Sequence, residues 1–76
     1  MFAMRYKMIG LKIAYYRKMR GYTQGQLAGK IGISTTYLGQ IERGNNGKSY
    51  SLETLLPIAV GLDIDVNLLL SSSKNI

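Results

Sequence analysis

The sequence has no cysteine and no histidine, a single proline, and only four acidic side chains in 76 residues. Without cysteine there is no disulfide to staple a chain near the lower size limit for a single core, so packed apolar side chains must hold it. Losing histidine and cysteine together removes the usual zinc ligands, and Glu42, Glu53, Asp63 and Asp65 lack any ligand spacing. A nucleophile activated by histidine is impossible. Asp63 and Asp65 point to different sides of any regular element, so paired-carboxylate catalysis is not expected either. No catalytic residue, cofactor, metal or small-molecule ligand is therefore anticipated. No apolar run approaches the ~20 residues of a membrane span and the N-terminus lacks a hydrophobic signal core, so the expected location is the cytoplasm.

What the chain does have is positive charge, unevenly placed. Residues 1–50 hold nine Lys/Arg and one acid, and residues 51–76 one Lys and three acids, for net charges of +8 and −2. Segregation of the basic groups onto one part of a small domain points to a polyanion, and specifically to nucleic acid.

The basic part contains the stretch Thr23 to Gly44, TQGQLAGKIGISTTYLGQIERG. Thr23 can cap a helix from Gln24 to about Ile31, with Gln26 reaching back three residues to complete a capping box. Gly32 suits the left-handed turn that must follow, and Ser34 offers a second N-cap. A second helix over Thr35–Arg43 gathers Tyr37, Leu38 and Ile41 on one side and Thr35, Thr36, Gly39, Gln40 and Arg43 on the other. That outer face has hydrogen-bonding groups and no acid. A solvated helix presents such a face too, but the turn geometry and the charge distribution together favour a DNA-reading helix-turn-helix. Thr35, Thr36 and Gln40 are the candidate base readers, Arg43 a phosphate contact, and Gly39 room for approach to a groove. Thr23, Gln24 and the amides that open their helix are further candidates for phosphate. In the following loop Asn45, Asn46 and Lys48 are either backbone contacts or ordinary turn residues.

In MFAMRYKM, residues 1–8, strict alternation suits a half-buried strand, while Met4, Met8, Leu11 and Tyr15 also fit a helix that starts early. No partner strand is evident, so an ordered arm, a loose arm and a helix extension all stay open. The secure part of the first helix runs from Lys7 or Ile9 to Arg20, with Ile9, Ile13 and Tyr16 inward and Gly21 as its stop. Gly25 and Gly29 lie inside the next helix without an evident reason. Ser51 caps a fourth helix with Leu52, Leu55, Ile58, Ala59 and Leu62 at core spacing, and Pro57 inside it predicts a local kink rather than two helices. Asp63 is expected in a left-handed conformation. Asp65 then caps a fifth helix, Val66–Leu70, whose Val66, Leu69 and Leu70 close the core with Ile64 while Leu68 points elsewhere.

Four spaced blocks resemble one family: T-Q-x-x-L-A at Thr23–Ala28, G-I-S at Gly32–Ser34, Y-L-x-Q-I-E-R-G at Tyr37–Gly44 and S-L-E-T-L-L at Ser51–Leu56. They are similar to the Cro/cI-type helix-turn-helix domains of phage repressors and small bacterial regulators, over roughly Ile9 to Leu70. The alternation of residues 1–8 and the aperiodic residues 71–76 suggest an N-terminal arm and a flexible tail, and between them the resemblance implies an all-α, five-helix, lambda-repressor-like domain over residues 9–70. It also implies an ion pair between Arg17 and Glu42 that fixes two helices. The function it implies is a sequence-specific transcriptional regulator, acting by repression as a homodimer on a palindromic operator in double-stranded DNA. The rival expectation is an antitoxin or protein-interaction module, suggested by the apolar residues Phe2, Met4, Leu11, Tyr15, Val60 and Leu68.

Overall fold

Helix α1 spans Phe2–Met19 in a computed structural model of the chain, which describes residues 2–44 and 52–70. The strand-like arm is thus not formed over residues 2–8; the competing early helix start is what the fold adopts. The reason is backbone satisfaction: a lone strand leaves its amides and carbonyls unpaired, whereas a helix pairs them within itself. Gly21 stops α1 with φ 80°, and the Tyr22 amide closes back onto the Arg17 carbonyl at 3.1 Å. Side chains of residues 2–6, including Phe2 and Met4, lie outside the described set, as do Ser51 and residues 71–76.

Helices α2 (Gln24–Ile31) and α3 (Thr35–Arg43) form the angled pair, followed by α4 (Leu52–Leu62) and the short α5 (Asn67–Leu70). All five described elements are helices. Helix α4 continues as one helix through Pro57. The carbonyl that Pro57 cannot serve, four residues back, belongs to exposed Glu53, where water can reach it. Asp63 ends α4 at φ 59°, and the Ile64 amide closes onto the Ala59 carbonyl at 3.0 Å. Asp65 Oδ1 accepts from the Asn67 amide at 2.9 Å, so α5 opens one residue later than the spacing suggests.

Two cations, Arg20 just past α1 and Lys30 of α2, cap the C-terminus of α4. Arg20 Nε donates to the Leu62 carbonyl at 2.8 Å and its Nη2 to that of Asp63 at 3.0 Å. Lys30 Nζ donates to the Gly61 carbonyl at 2.9 Å and to Tyr22 Oη at 2.8 Å. Carbonyls left over at a helix end gain donors, and the negative end of the helix dipole gains positive charge. The core behind these caps draws Ile9 and Ile13 from α1, Leu27 and Ala28 from α2, Leu38 and Ile41 from α3, Leu55, Ile58, Ala59 and Leu62 from α4, and Leu69 from α5. Each large side chain in it contributes about 1.5–3 kcal/mol by leaving water. This packing leaves the outer face of α3 on the surface.

Candidate nucleic-acid interface

Local capping sets the pair. Thr23 Oγ1 accepts from the Gln26 amide at 3.0 Å while Gln26 Oε1 accepts from the Thr23 amide at 2.8 Å. Gly32 turns the chain at φ 80°, with its own amide and that of Ile33 bonded to the Ala28 carbonyl. Ser34 Oγ then accepts from the Tyr37 amide at 3.0 Å and starts α3. The three residues Gly32, Ile33 and Ser34 make the whole connection, so the two helices are held at a fixed angle.

On α3, Leu38 and Ile41 are fully buried and Tyr37 is half-buried against the core. Thr35, Thr36 and Arg43 are exposed and Gln40 is half-buried, so these four remain on the outer side. The starts of the two helices are neighbours: a Cβ added at Gly25 would lie 3.7 Å from Thr35 Oγ1 and 3.9 Å from Thr23 Oγ1. Gly39 departs from expectation. It is buried, and a Cβ there would sit 3.3 Å from Arg43 Nη1 and 3.6 Å from Gln24 Oε1. The space its missing side chain leaves is occupied by two side chains of the same surface rather than held open. Asn45, Asn46 and Lys48 lie outside the described residues.

Behind this surface Glu42 collects donors from two other helices. Arg17 Nε donates to Oε2 at 2.7 Å and Nη2 to Oε1 at 3.1 Å, and Arg17 Nη1 donates to the Tyr22 carbonyl at 2.8 Å. Gln24 Nε2 adds a bond to Oε1 at 3.0 Å. The Arg17 and Glu42 side chains are only 10% and 5% exposed, which makes this a shielded bidentate pair whose breaking would strand a charge. The end of α1, the start of α2 and the end of α3 are thereby tied to one carboxylate. Gln24 thus has two neighbours, Glu42 behind it and Arg43 beside it over Gly39. The carboxylate nearest the outer face is neutralised, and what faces outward is hydroxyl, amide and guanidinium. Such a surface can hold phosphate oxygens and match base-edge donors and acceptors.

Two residues that the sequence reading passed over also set the pose of α3. A Cβ at Gly10 would fall on the backbone carbonyl oxygens of Ile41 and Glu42, and one at Gly44 would fall on Lys7 Cα. Helix α1 therefore crosses the end of α3 backbone to backbone. A glycine inside an otherwise helix-forming run, costing about 1 kcal/mol against alanine, was the available signal at Gly10. Among the described residues there is no group of His, Cys, Asp or Glu able to hold a metal, and no helix long and apolar enough to cross a membrane.

The helix-turn-helix family description matches residues 13–69 of this chain. The regulator SinR of Bacillus licheniformis is 41% identical over 64 residues, which cover 84% of this chain and 57% of SinR. The chain spans little more than half the length of the curated relatives it matches. Among solved structures, SinR in complex with DNA is 40% identical with a TM-score of 0.75, covering 84% of this chain and 100% of that one. The restriction-modification controller protein C.AhdI of Aeromonas hydrophila is 30% identical with a TM-score of 0.81, covering 88% of this chain and 94% of that one. Capped helix pair, buried Arg17–Glu42 brace and family match agree: this chain belongs to the Cro/cI-type helix-turn-helix family.

Proposed function

We propose that the protein is a cytoplasmic, sequence-specific DNA-binding transcriptional regulator that inserts α3 into the major groove. Thr35, Thr36 and Gln40 read base edges there, while Thr23, Gln24, Arg43 and the loop residues Asn45, Asn46 and Lys48 hold phosphate. The observation that carries this reading is the outer face of α3, free of acids and locked to α1 and α2 through Glu42. The likeness to SinR, solved with DNA, supports it. The mechanism is occupancy: a homodimer covers a palindromic operator and represses transcription, with no covalent step. Closed twofold symmetry puts the two reading helices on half-sites about 34 Å apart, one turn of the duplex. Selection of binding sites from a random duplex library tests the proposal. A palindrome with half-sites one turn apart is the expected product, together with a dimer on saturated DNA in sedimentation. An unenriched library, or a single half-site bound by a monomer, would contradict it.

A second reading is favoured by one observation. Leu11, Tyr15, Val60 and Leu68 are 55%, 56%, 76% and 42% exposed, which is apolar surface that a protein partner could cover. In that reading the chain is an antitoxin or interaction module, and pure protein gives only weak, sequence-independent mobility shifts.

A further inference from the structure

We infer that α1 is itself a DNA-contacting element and that Lys7 holds phosphate at the far end of α3, on the flank opposite Gln24. The inference rests on the proposal that α3 reads the major groove. A helix 10–12 Å across fills a groove about 12 Å wide, so residues that flank it meet the sugar-phosphate walls on both sides. Gln24 marks one flank, since it bonds Glu42 and lies beside the position of a Gly39 Cβ. Gly44 marks the other, because at roughly 100° per residue it falls about 40° past Gln40 on the side away from Gly39. It is there that α1 arrives: the backbone nitrogen of Lys7 lies 2.9 Å and its Cβ 3.1 Å from where a Gly44 Cβ would be.

Lys7 is thus fixed at its backbone by direct contact with the residue that ends α3, while its side chain is exposed on a flexible four-carbon stem. Three other cations are bonded within the fold, Arg17 to Glu42, Arg20 to the end of α4 and Lys30 to Gly61. Their charge braces the fold. Lys7 instead stands at the rim of the reading face, where a phosphate on the second wall of the groove is the group that complements it. Gly10 and Gly44 allow this placement, because any side chain at either position would drive α1 away from α3.

The test compares Lys7→Ala with Lys18→Ala, which removes an exposed cation about 16 Å further along the same helix. Affinity is measured against salt for a duplex selected by the wild-type chain and for an unrelated duplex of equal length. Lys7→Ala should weaken both duplexes by a similar factor and make the plot of log affinity against log salt shallower by about 0.9, with Lys7→Arg restoring it. Lys18→Ala should leave the slope unchanged. Equal effects of the two alanine variants, or an unchanged slope for Lys7→Ala while circular dichroism reports a folded chain, would overturn the inference and leave the reading role of α3 standing. A wild-type chain that enriches no duplex from the library would overturn that role, and this contact with it.

Discussion

Glu42 is the residue on which the pose of α3 depends, although it is itself buried. Its carboxylate accepts from Arg17 at 2.7 and 3.1 Å and from Gln24 at 3.0 Å, so one side chain holds α3 to α1 and α2 at once. Removing one partner of a shielded pair leaves a charge without compensation, at a cost of about 3–5 kcal/mol, whereas replacing both with apolar groups is far cheaper. In thermal melts Arg17→Met and Glu42→Leu should therefore each destabilise strongly, and the double variant should be more stable than the sum of the two losses. Simple additivity would show that the pair does not couple. The caps at Thr23 and Ser34 were legible in the sequence because each bond spans only three residues. The burial of Gly39 was not, since it depends on where Gln24, fifteen positions earlier, lays its amide.

At the scale of elements, glycines in two helices have opposite meanings. Gly29 lies in α2 with nothing within 4 Å of the place its Cβ would take. Gly29→Ala should stabilise the protein by about 1 kcal/mol, raising the melting temperature by about 4–8 °C. Gly10→Ala would thrust a methyl group onto the Ile41 and Glu42 carbonyls, which are backbone and cannot swing aside. It should cost about 1–3 kcal/mol or more despite the better helix former. Melting curves that move the same way for both would remove the close crossing of α1 and α3 from the account. The sequence left α1 ambiguous at its start because MFAMRYKM satisfies both the strand and the helix period. What decides it is that no strand is found among the described residues to pair with it, and a helix satisfies its own backbone. Pro57 was legible as an irregularity, but its tolerance rests on the exposure of the α4 face that carries it.

Over the whole molecule the same few links connect stability to function. Among the described residues, eleven buried apolar side chains from five helices fix the scaffold, the Arg17–Glu42–Gln24 network fixes α3 on it, and the outer face of α3 is left on the surface. The five-helix architecture was legible because spaced blocks of sequence agreed in order and separation. Which base each outward side chain meets was not, because that depends on docking at near-ångström precision. On the proposed docking, Gln40 reads while Gln24 holds. A single bidentate amide contact discriminates by about 1–3 kcal/mol at one base pair, and a phosphate contact carries no sequence information. The measurement that tests this most directly is the affinity of wild type, Gln40→Ala and Gln24→Ala for the selected duplex and each of its single base-pair variants. Gln40→Ala should lose preference at one position of each half-site and keep the rest, while Gln24→Ala weakens every duplex by a similar factor. A uniform loss for Gln40→Ala, or a changed base preference for Gln24→Ala, would contradict the account.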